Sequence, residues 1–218
     1  MKKDLTELIF ILDRSGSMSG LELDTIGGYN SLLEQQKDTT GQAVVTTVLF
    51  DDQYEVLHDL LDLAFVAPLT RDDYYVRGMT ALLDAIGRTI EMIIRQRRKM
   101  PKEHQPAKTI CVITTDGQEN ASWEYSAHRV RQLIQQQTSD YDWEFLFLGA
   151  TIDAVQTASD YGIPPNRSVQ FHADQRGVEL NFAAIDQAIR QVRLSENKLD
   201  DSWKETIETD YKTRKKIQ

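Results

Sequence analysis

Cysteine is almost absent from this sequence, and its scarcity excludes a fold held together by disulfides. Cys111 is the only cysteine among 218 residues, so no bridge can form within the chain. It lies in the apolar segment 109–113, and we interpret it as a buried core residue rather than a nucleophile. A chain without disulfides suits a reducing compartment, and we therefore expect a cytoplasmic protein.

Long apolar segments are absent as well. Lys2 and Lys3 precede an apolar run, as in a signal peptide, but the run has only five residues and Asp13 ends it. No segment reaches the roughly 20 apolar residues of a transmembrane helix. The net charge of −9 argues against a general affinity for nucleic acid or for an anionic membrane surface. We therefore expect neither of these as a partner.

The motifs of two common classes of enzyme are missing too. The four histidines fall in separate segments, without the His-Glu-x-x-His spacing of a zinc hydrolase. No Gly-x-Gly-x-x-Gly follows the first apolar run, and no Walker loop occurs anywhere in the sequence. The sequence therefore predicts neither a zinc hydrolase nor a nucleotide cofactor.

The most informative stretch that is present is an apolar run that ends at an aspartate and a serine-glycine loop. Residues 8–12 are apolar without alternation, which predicts a strand covered on both faces. Asp13, Ser15 and Ser17 follow at alternate positions, and such hard oxygen groups favour a hard divalent cation. The alternative is a serine-rich turn in which Ser19 caps a helix.

Two later segments supply further oxygen ligands. Thr80 lies in a loop that runs into a patterned helix, and Asp116 ends the apolar strand that begins at Thr109. Asp-x-Ser-x-Ser, a loop threonine and a strand-end aspartate together resemble the von Willebrand factor type A (vWA) domain and its metal-ion-dependent adhesion site (MIDAS). The resemblance covers roughly residues 5–194. It implies that Asp13, Ser15, Ser17, Thr80 and Asp116 form a site for Mg²⁺, with Mn²⁺ or Ca²⁺ as alternatives.

Strand and helix patterns alternate along the chain, which predicts an α/β fold. We expect a three-layer, doubly wound, Rossmann-like vWA fold, with helices on both faces of a mostly parallel six-stranded sheet. The segments 44–50 and 54–60 are joined by a turn of three residues, which predicts one antiparallel edge strand. We also predict a helix capped by Ser122 and a short helix that includes Ile152.

The chain divides by composition into a domain over residues 1–194 and a charged tail over residues 195–218. In the tail, an apolar or aromatic residue recurs at every fourth position, which predicts one face of a helix: Leu199, Trp203, Ile207 and Tyr211. Two interpretations stay open. The helix packs back onto the domain, or it docks a partner and uses Trp203 as the anchor.

The resemblance also implies a function. Because Ser15, Ser17 and Thr80 are neutral ligands, the cation keeps much of its charge, and an Asp or Glu carboxylate of a protein partner can fill its open position. Without a recognised signal peptide or disulfides, the chain looks like the small stand-alone intracellular bacterial members. For these, the family often implies service to AAA+ ATPase or stress-response assemblies. Arg14 and Arg77 either line the rim of the site or are solvated loop arginines.

An enzymatic alternative is a magnesium-dependent phosphohydrolase in which Asp13 is the nucleophile. That chemistry calls for a second nearby aspartate and a lysine that neutralises phosphate. The sequence has Ser15, Ser17 and Thr80 at the corresponding places, and hydroxyls bind metal without performing that chemistry. We therefore expect a binding module and not an enzyme.

Overall fold

The computed structural model describes residues 2–151, 153–195 and 197–215. This part of the chain contains six strands and six α-helices, which alternate except that the second and third strands are consecutive and two α-helices come last. The strands are β1 (Lys2–Asp13), β2 (Gln42–Phe50), β3 (Tyr54–Asp62), β4 (Pro106–Thr115), β5 (Glu144–Gly149) and β6 (Ser168–Gln170). The helices are α1 (Glu22–Lys37), α2 (Leu82–Lys99), α3 (Ala127–Tyr141), α4 (Ala154–Asp160), α5 (Gln175–Leu194) and α6 (Glu205–Lys215).

The strands form one six-stranded sheet in the order β3-β2-β1-β4-β5-β6. All neighbouring strands pair in parallel except β3, which runs antiparallel to β2 at one edge. The turn between β2 and β3 is too short for the crossover that a parallel pair needs, so the chain must reverse direction there. The predicted doubly wound sheet with one antiparallel edge strand is confirmed.

β1 is buried on both faces, which explains its unbroken apolar run. Leu8, Phe10 and Leu12 pack into a cluster that also contains apolar residues of α1 and α5. Ile9 and Ile11 point to the opposite face and pack with residues of α2 and α3. Because successive side chains of a strand alternate between faces, a strand at the centre of three layers needs an apolar residue at every position.

The winding direction reverses between β1 and β4. After β1 the chain adds β2 and β3 on one side, and α2 then crosses over so that β4 pairs with the other side of β1. The carboxyl ends of β1 and β4 therefore lie side by side, with Leu12 opposite Thr114. Such a switch point leaves a crevice in which α/β sheets commonly bind ligands. Asp13 and Asp116 lie at this crevice.

α2 shows how a helix pattern becomes packing. Ile86, Ile90 and Ile93 are buried against the sheet, and the basic residues near its end lie in the last turn, where the helix dipole favours positive charge. One of these, Arg97, also forms an ion pair with the buried Glu7.

None of the helices in the described ranges combines the length and apolar character needed to cross a membrane.

Two details of the helix predictions need revision. Ser126, not Ser122, caps α3, because its side chain accepts a hydrogen bond from the Arg129 amide at 3.2 Å. Ser122 instead binds Glu119 in the preceding loop. Ile152 lies outside the described residues, and α4 begins after it.

The tail packs onto the domain. Leu199, Trp203 and Ile207 belong to the same buried cluster as the apolar face of α5. Trp203 is only 3% exposed, and its indole Nε1 donates a hydrogen bond to the Asn166 carbonyl at 3.0 Å. The packing interpretation therefore describes the tail, and the interpretation of Trp203 as the anchor for a partner is wrong. The predicted single helical face is also wrong in part, because α6 begins only at Glu205 and Trp203 lies in a separate short 3-10 helix before it. The division of the chain at residue 194 stays a prediction.

Replacing Trp203 should measure how much the tail contributes to stability. Trp203→Ala removes a buried indole and should lower the free energy of unfolding by about 3–5 kcal/mol. Trp123→Ala is the matched control, because this indole is 83% exposed and its loss should change the value by about 0.5 kcal/mol or less. Urea unfolding followed by far-ultraviolet circular dichroism makes the comparison. Equal effects of the two substitutions would contradict packing of the tail.

Candidate metal centre

The structure brings the predicted hydroxyl ligands together at the switch point. Ser15 and Ser17 lie in the loop after β1, and Thr80 lies just before α2. The Ser15 Oγ atom is 3.0 Å from Ser17 Oγ and 3.0 Å from Thr80 Oγ1. Three hydroxyls from two distant segments thus converge, with the Ser15 hydroxyl within hydrogen-bonding distance of the other two.

Asp13 is fully buried beneath these hydroxyls, at 0% exposure. Its Oδ1 accepts a hydrogen bond from the Ser15 amide at 2.7 Å, and its Oδ2 accepts one from Thr115 Oγ1 at 2.5 Å. Burial raises the pKa of Asp13 to about 6, while the hydrogen bonds from Thr115 and Ser15 oppose the shift. Oδ1 therefore holds the loop after β1, and Oδ2 ties the end of β1 to the end of β4.

Asp116 completes the set with an unsatisfied oxygen. Its Oδ1 atom is buried and has no hydrogen-bond partner among the residues that the structure describes. Burial raises the pKa of Asp116, and the nearby Ser17 hydroxyl offsets part of that increase. A buried carboxylate oxygen without a partner is costly unless a water or a cation binds it. The donor set therefore fits a hard cation.

Gly117 shows how closely the two sides of the site approach each other. A Cβ atom at this position would lie 2.7 Å from Thr80 Oγ1 and 2.8 Å from Ser17 Oγ. Real Cβ atoms do not come this close to oxygen, so only glycine lets the loop after β4 reach the hydroxyls. Among the described residues, no group of three or more His, Cys, Asp and Glu forms a metal cluster. Hydroxyls are three of the five candidate ligands here, so the site does not depend on a cluster of such residues.

Asn120 ties Thr80 to the loop that carries Asp116. The Asn120 side-chain oxygen accepts a hydrogen bond from the Thr80 amide at 2.9 Å. The amides of Asn120 and Ala121 donate to the Thr80 carbonyl at 3.0 and 3.2 Å. Sequence reasoning missed this residue, because an asparagine in a polar loop has no pattern that distinguishes it.

Two carboxylates attach the same loop to the start of α2. Glu119 accepts a hydrogen bond from the Leu83 amide at 2.9 Å, in the first turn of the helix. The buried Asp84 carboxylate accepts from three successive backbone amides, those of Trp123, Glu124 and Tyr125. These bonds satisfy polar groups that would otherwise be unpaired. Thr80 and Asp116 are thereby held by a shared network.

The long loop after β3 is also pinned to the site. The Tyr74 hydroxyl donates a hydrogen bond to the Asp13 carbonyl. The Asn30 side chain in α1 both donates to the Leu69 carbonyl, at 2.9 Å, and accepts from the Leu69 amide, at 2.7 Å. Burial raises the pKa of Tyr74. The loop is therefore ordered by contacts with β1 and α1 before it reaches Thr80.

Arg14 is neither a rim residue nor a solvated one. It is fully buried, and its Nε donates to Asp51 Oδ2 at 3.1 Å. Arg77, which is about one-third exposed, donates from Nε to the same Asp51 oxygen at 2.7 Å. Asp51 thus joins the loop after β1 to the loop that carries Thr80. An aspartate directly after β2, at the same edge of the sheet as Asp13, was the signal that could have identified it.

Comparison with protein-family models and with curated protein sequences gave no match. Comparison with solved structures did. Proximal thread matrix protein 1 from the mussel byssus, with a zinc-occupied MIDAS motif, aligns with 86% of this chain and 46% of its own at 14% identity and a TM-score of 0.57. Manganese-loaded TRAP protein of Plasmodium vivax also has 14% identity and a TM-score of 0.57. The alignment covers 84% of this chain and 74% of the TRAP chain.

A third similar structure is the D319A mutant of the PilB minor pilin from Streptococcus sanguinis, with 11% identity and a TM-score of 0.56. The alignment covers 93% of this chain and 63% of the pilin chain. This chain spans about half the length of the mussel protein. Identities this low bear on the fold alone. The structural similarity confirms the predicted vWA-like fold.

Asp51 offers a test of the network around the centre. Arg14 pairs with two carboxylates, the buried Asp51 and the half-exposed Glu55 at 2.8 Å. Asp51→Asn removes the charge of the buried one, so the free energy of unfolding should fall by up to about 3 kcal/mol. The neighbouring Asp52 is exposed, and Asp52→Asn should change the value by about 0.5 kcal/mol or less. Urea unfolding of both variants makes the comparison. A similar small effect in both would mean that Arg14 does not depend on Asp51.

Proposed function

We propose that this chain binds a divalent cation through Asp13, Ser15, Ser17, Thr80 and Asp116, and that it uses the bound cation to hold an acidic side chain of a protein partner. The observation that carries the proposal is the convergence of three hydroxyls beside the unpartnered, buried Oδ1 of Asp116. Three of the five side chains at this site are neutral hydroxyls.

Some residues of the site offer oxygen atoms to the cation directly, and others position those residues. Ser15, Ser17 and Thr80 offer their hydroxyl oxygens, while Asp13 orients the loop through its bonds to the Ser15 amide and to Thr115. A cation held mainly by neutral ligands retains enough positive charge to attract a carboxylate. The acidic surface of the protein would otherwise repel such a group.

Magnesium is the cation that we propose, with manganese or calcium as alternatives. Hydroxyl and carboxylate oxygens are hard donors, which suit these ions better than soft ones. The zinc in the mussel protein and the manganese in TRAP support a divalent cation in general. The choice among them rests on donor chemistry.

We propose further that the protein acts in the cytoplasm, and that its partner belongs to an intracellular bacterial assembly of the AAA+ ATPase or stress-response type. This part rests on the family resemblance and on the single cysteine. The partner would present an exposed Asp or Glu, and neither nucleic acid nor a membrane would be required.

The phosphohydrolase alternative is less well supported. A nucleophilic aspartate needs a free oxygen facing the substrate. Asp13 is fully buried, and each of its oxygens already accepts a hydrogen bond from Ser15 or Thr115. We therefore propose binding rather than catalysis.

Thermal unfolding tests the cation site. Mg²⁺ or Mn²⁺ at about 100 times its dissociation constant should stabilise the wild type by about 2.7 kcal/mol, because the folded state alone binds it. Thr80→Val keeps the shape of the side chain but removes the hydroxyl, so most of this increase should disappear. Thr89→Val, a buried threonine within α2, should keep the full increase. The same metal response in all three proteins would remove Thr80 from the site.

Peptide display tests the carboxylate. A random peptide library is bound to immobilised protein in the presence of Mn²⁺ and eluted with EDTA. We expect the eluted peptides to be enriched in Asp and Glu, because their carboxylates would bind the cation. Thr80→Val protein should retain few of them, whereas Thr89→Val protein should retain as many as the wild type. An EDTA eluate no more acidic than the starting library would contradict carboxylate binding.

A further inference from the structure

Exposed apolar side chains concentrate around the candidate metal centre. Seven large ones occur in the described part of the chain. Four of them lie on segments that enter or leave the centre, namely Leu23, Tyr75, Met79 and Trp123. The other three, Phe65, Tyr141 and Leu194, follow β3 or end helices α3 and α5 near the opposite edge of the sheet. Exposed apolar groups that collect at one place commonly mark an interaction surface.

Trp123 is the most exposed of these, at 83%. The two other tryptophans, Trp143 and Trp203, are almost completely buried and serve the core. Exposing an indole to water is unfavourable. Packing within this domain does not require a tryptophan at position 123. Tryptophan is also the residue type most enriched among those that dominate binding energies at interfaces.

The backbone beneath Trp123 is firmly held. Its amide donates to Asp84 Oδ2 at 3.2 Å, and the two following amides donate to Asp84 Oδ1 at 3.0 and 2.8 Å. Two residues earlier, the Ala121 amide bonds to the carbonyl of Thr80, a candidate ligand. The indole therefore projects from a loop whose position is fixed relative to the metal centre. A pre-positioned group loses little conformational freedom when a partner binds.

Met79 lies on the loop that carries Thr80. It directly precedes Thr80 and is more than half exposed. Its thioether side chain is flexible and adapts to apolar groups of different shape. Trp123 and Met79 thus offer a fixed and an adaptable apolar group on the two loops that are joined through the Thr80 carbonyl.

We propose that Trp123 and Met79 form an apolar anchor beside the metal centre, which binds an aromatic or aliphatic side chain within a few residues of the partner's acidic residue. This rests on the proposed function and specifies its partner as a protein segment that combines an acidic with an apolar residue. A carboxylate alone meets an acidic protein with net charge −9, and burial of apolar area supplies affinity that does not depend on charge.

The peptides that EDTA elutes from the wild type provide the test. They should carry an aromatic or aliphatic residue near their Asp or Glu, and Trp123→Ser should weaken their binding at least tenfold, as expected for a central tryptophan at an interface. Met79→Ser should weaken it less. Phe65→Ser is the matched control, because Phe65 is 76% exposed and lies away from the centre. This variant should bind the peptides as tightly as the wild type.

A second readout uses the wild type alone. Because Trp143 and Trp203 are buried, iodide should quench the fluorescence of Trp123 almost exclusively. In the presence of Mn²⁺, a saturating eluted peptide should reduce the iodide quenching constant several-fold. If Trp123→Ser also loses the metal-induced thermal stabilisation, its weaker peptide binding does not support the anchor, and the quenching result decides.

The outcomes separate this proposal from the function on which it rests. If EDTA releases no acidic peptides, the proposed function fails and the anchor fails with it. If acidic peptides are released but bind Trp123→Ser and the wild type equally, with unchanged quenching, only the anchor is overturned. Tenfold weaker binding by Trp123→Ser, together with protection from iodide, would support the anchor.

Discussion

The pairing of β1 with β4 is the constraint on which the metal centre depends. Parallel strands end at the same edge of a sheet, and these two are neighbours because the chain reverses its winding direction between them. This pairing brings Asp13 and Asp116 together, although they are far apart in the sequence. Asp13 lies 102 positions before Thr115, the residue that precedes Asp116. The buried, apolar character of both strands makes the pairing stable, and the site follows from it.

Buried polar groups then determine how the loops are arranged at that edge. Each such group requires a partner, and the partners here come from different loops. Asp51 joins the loop after β1 to the loop before α2, and Asn120 joins the latter to the loop after β4. The Asp116 Oδ1 atom is the exception among the candidate ligands within the described residues. Arg14 Nη2 also lacks a partner among these residues, but of these two atoms only the Asp116 oxygen is an acceptor that attracts a cation.

The same rigidity affects the surface. Asp84, which anchors α2 to the loop after β4, also holds the backbone of Trp123. An exposed indole and a set of oxygen ligands are therefore built on one hydrogen-bonded framework. The tail differs, because it covers apolar surface of the domain and buries Trp203. Two tryptophans of the same chain thus have contrasting roles, one in the core and one facing solvent.

Local patterns in the sequence were enough to predict the strand and helix order and the antiparallel edge strand, because periodicity and turn length depend on nearby residues. The candidate ligand set followed from the resemblance of three short motifs to the vWA domain. Whether the tail packs or docks depended on an apolar surface that exists only after folding. The partners of Asp51 and Arg14 were likewise decided by the tertiary structure, since a buried ion pair joins residues 37 positions apart that carry no common pattern. Contacts of this kind arise from the geometry of the sheet, and a chain read in order does not reveal them.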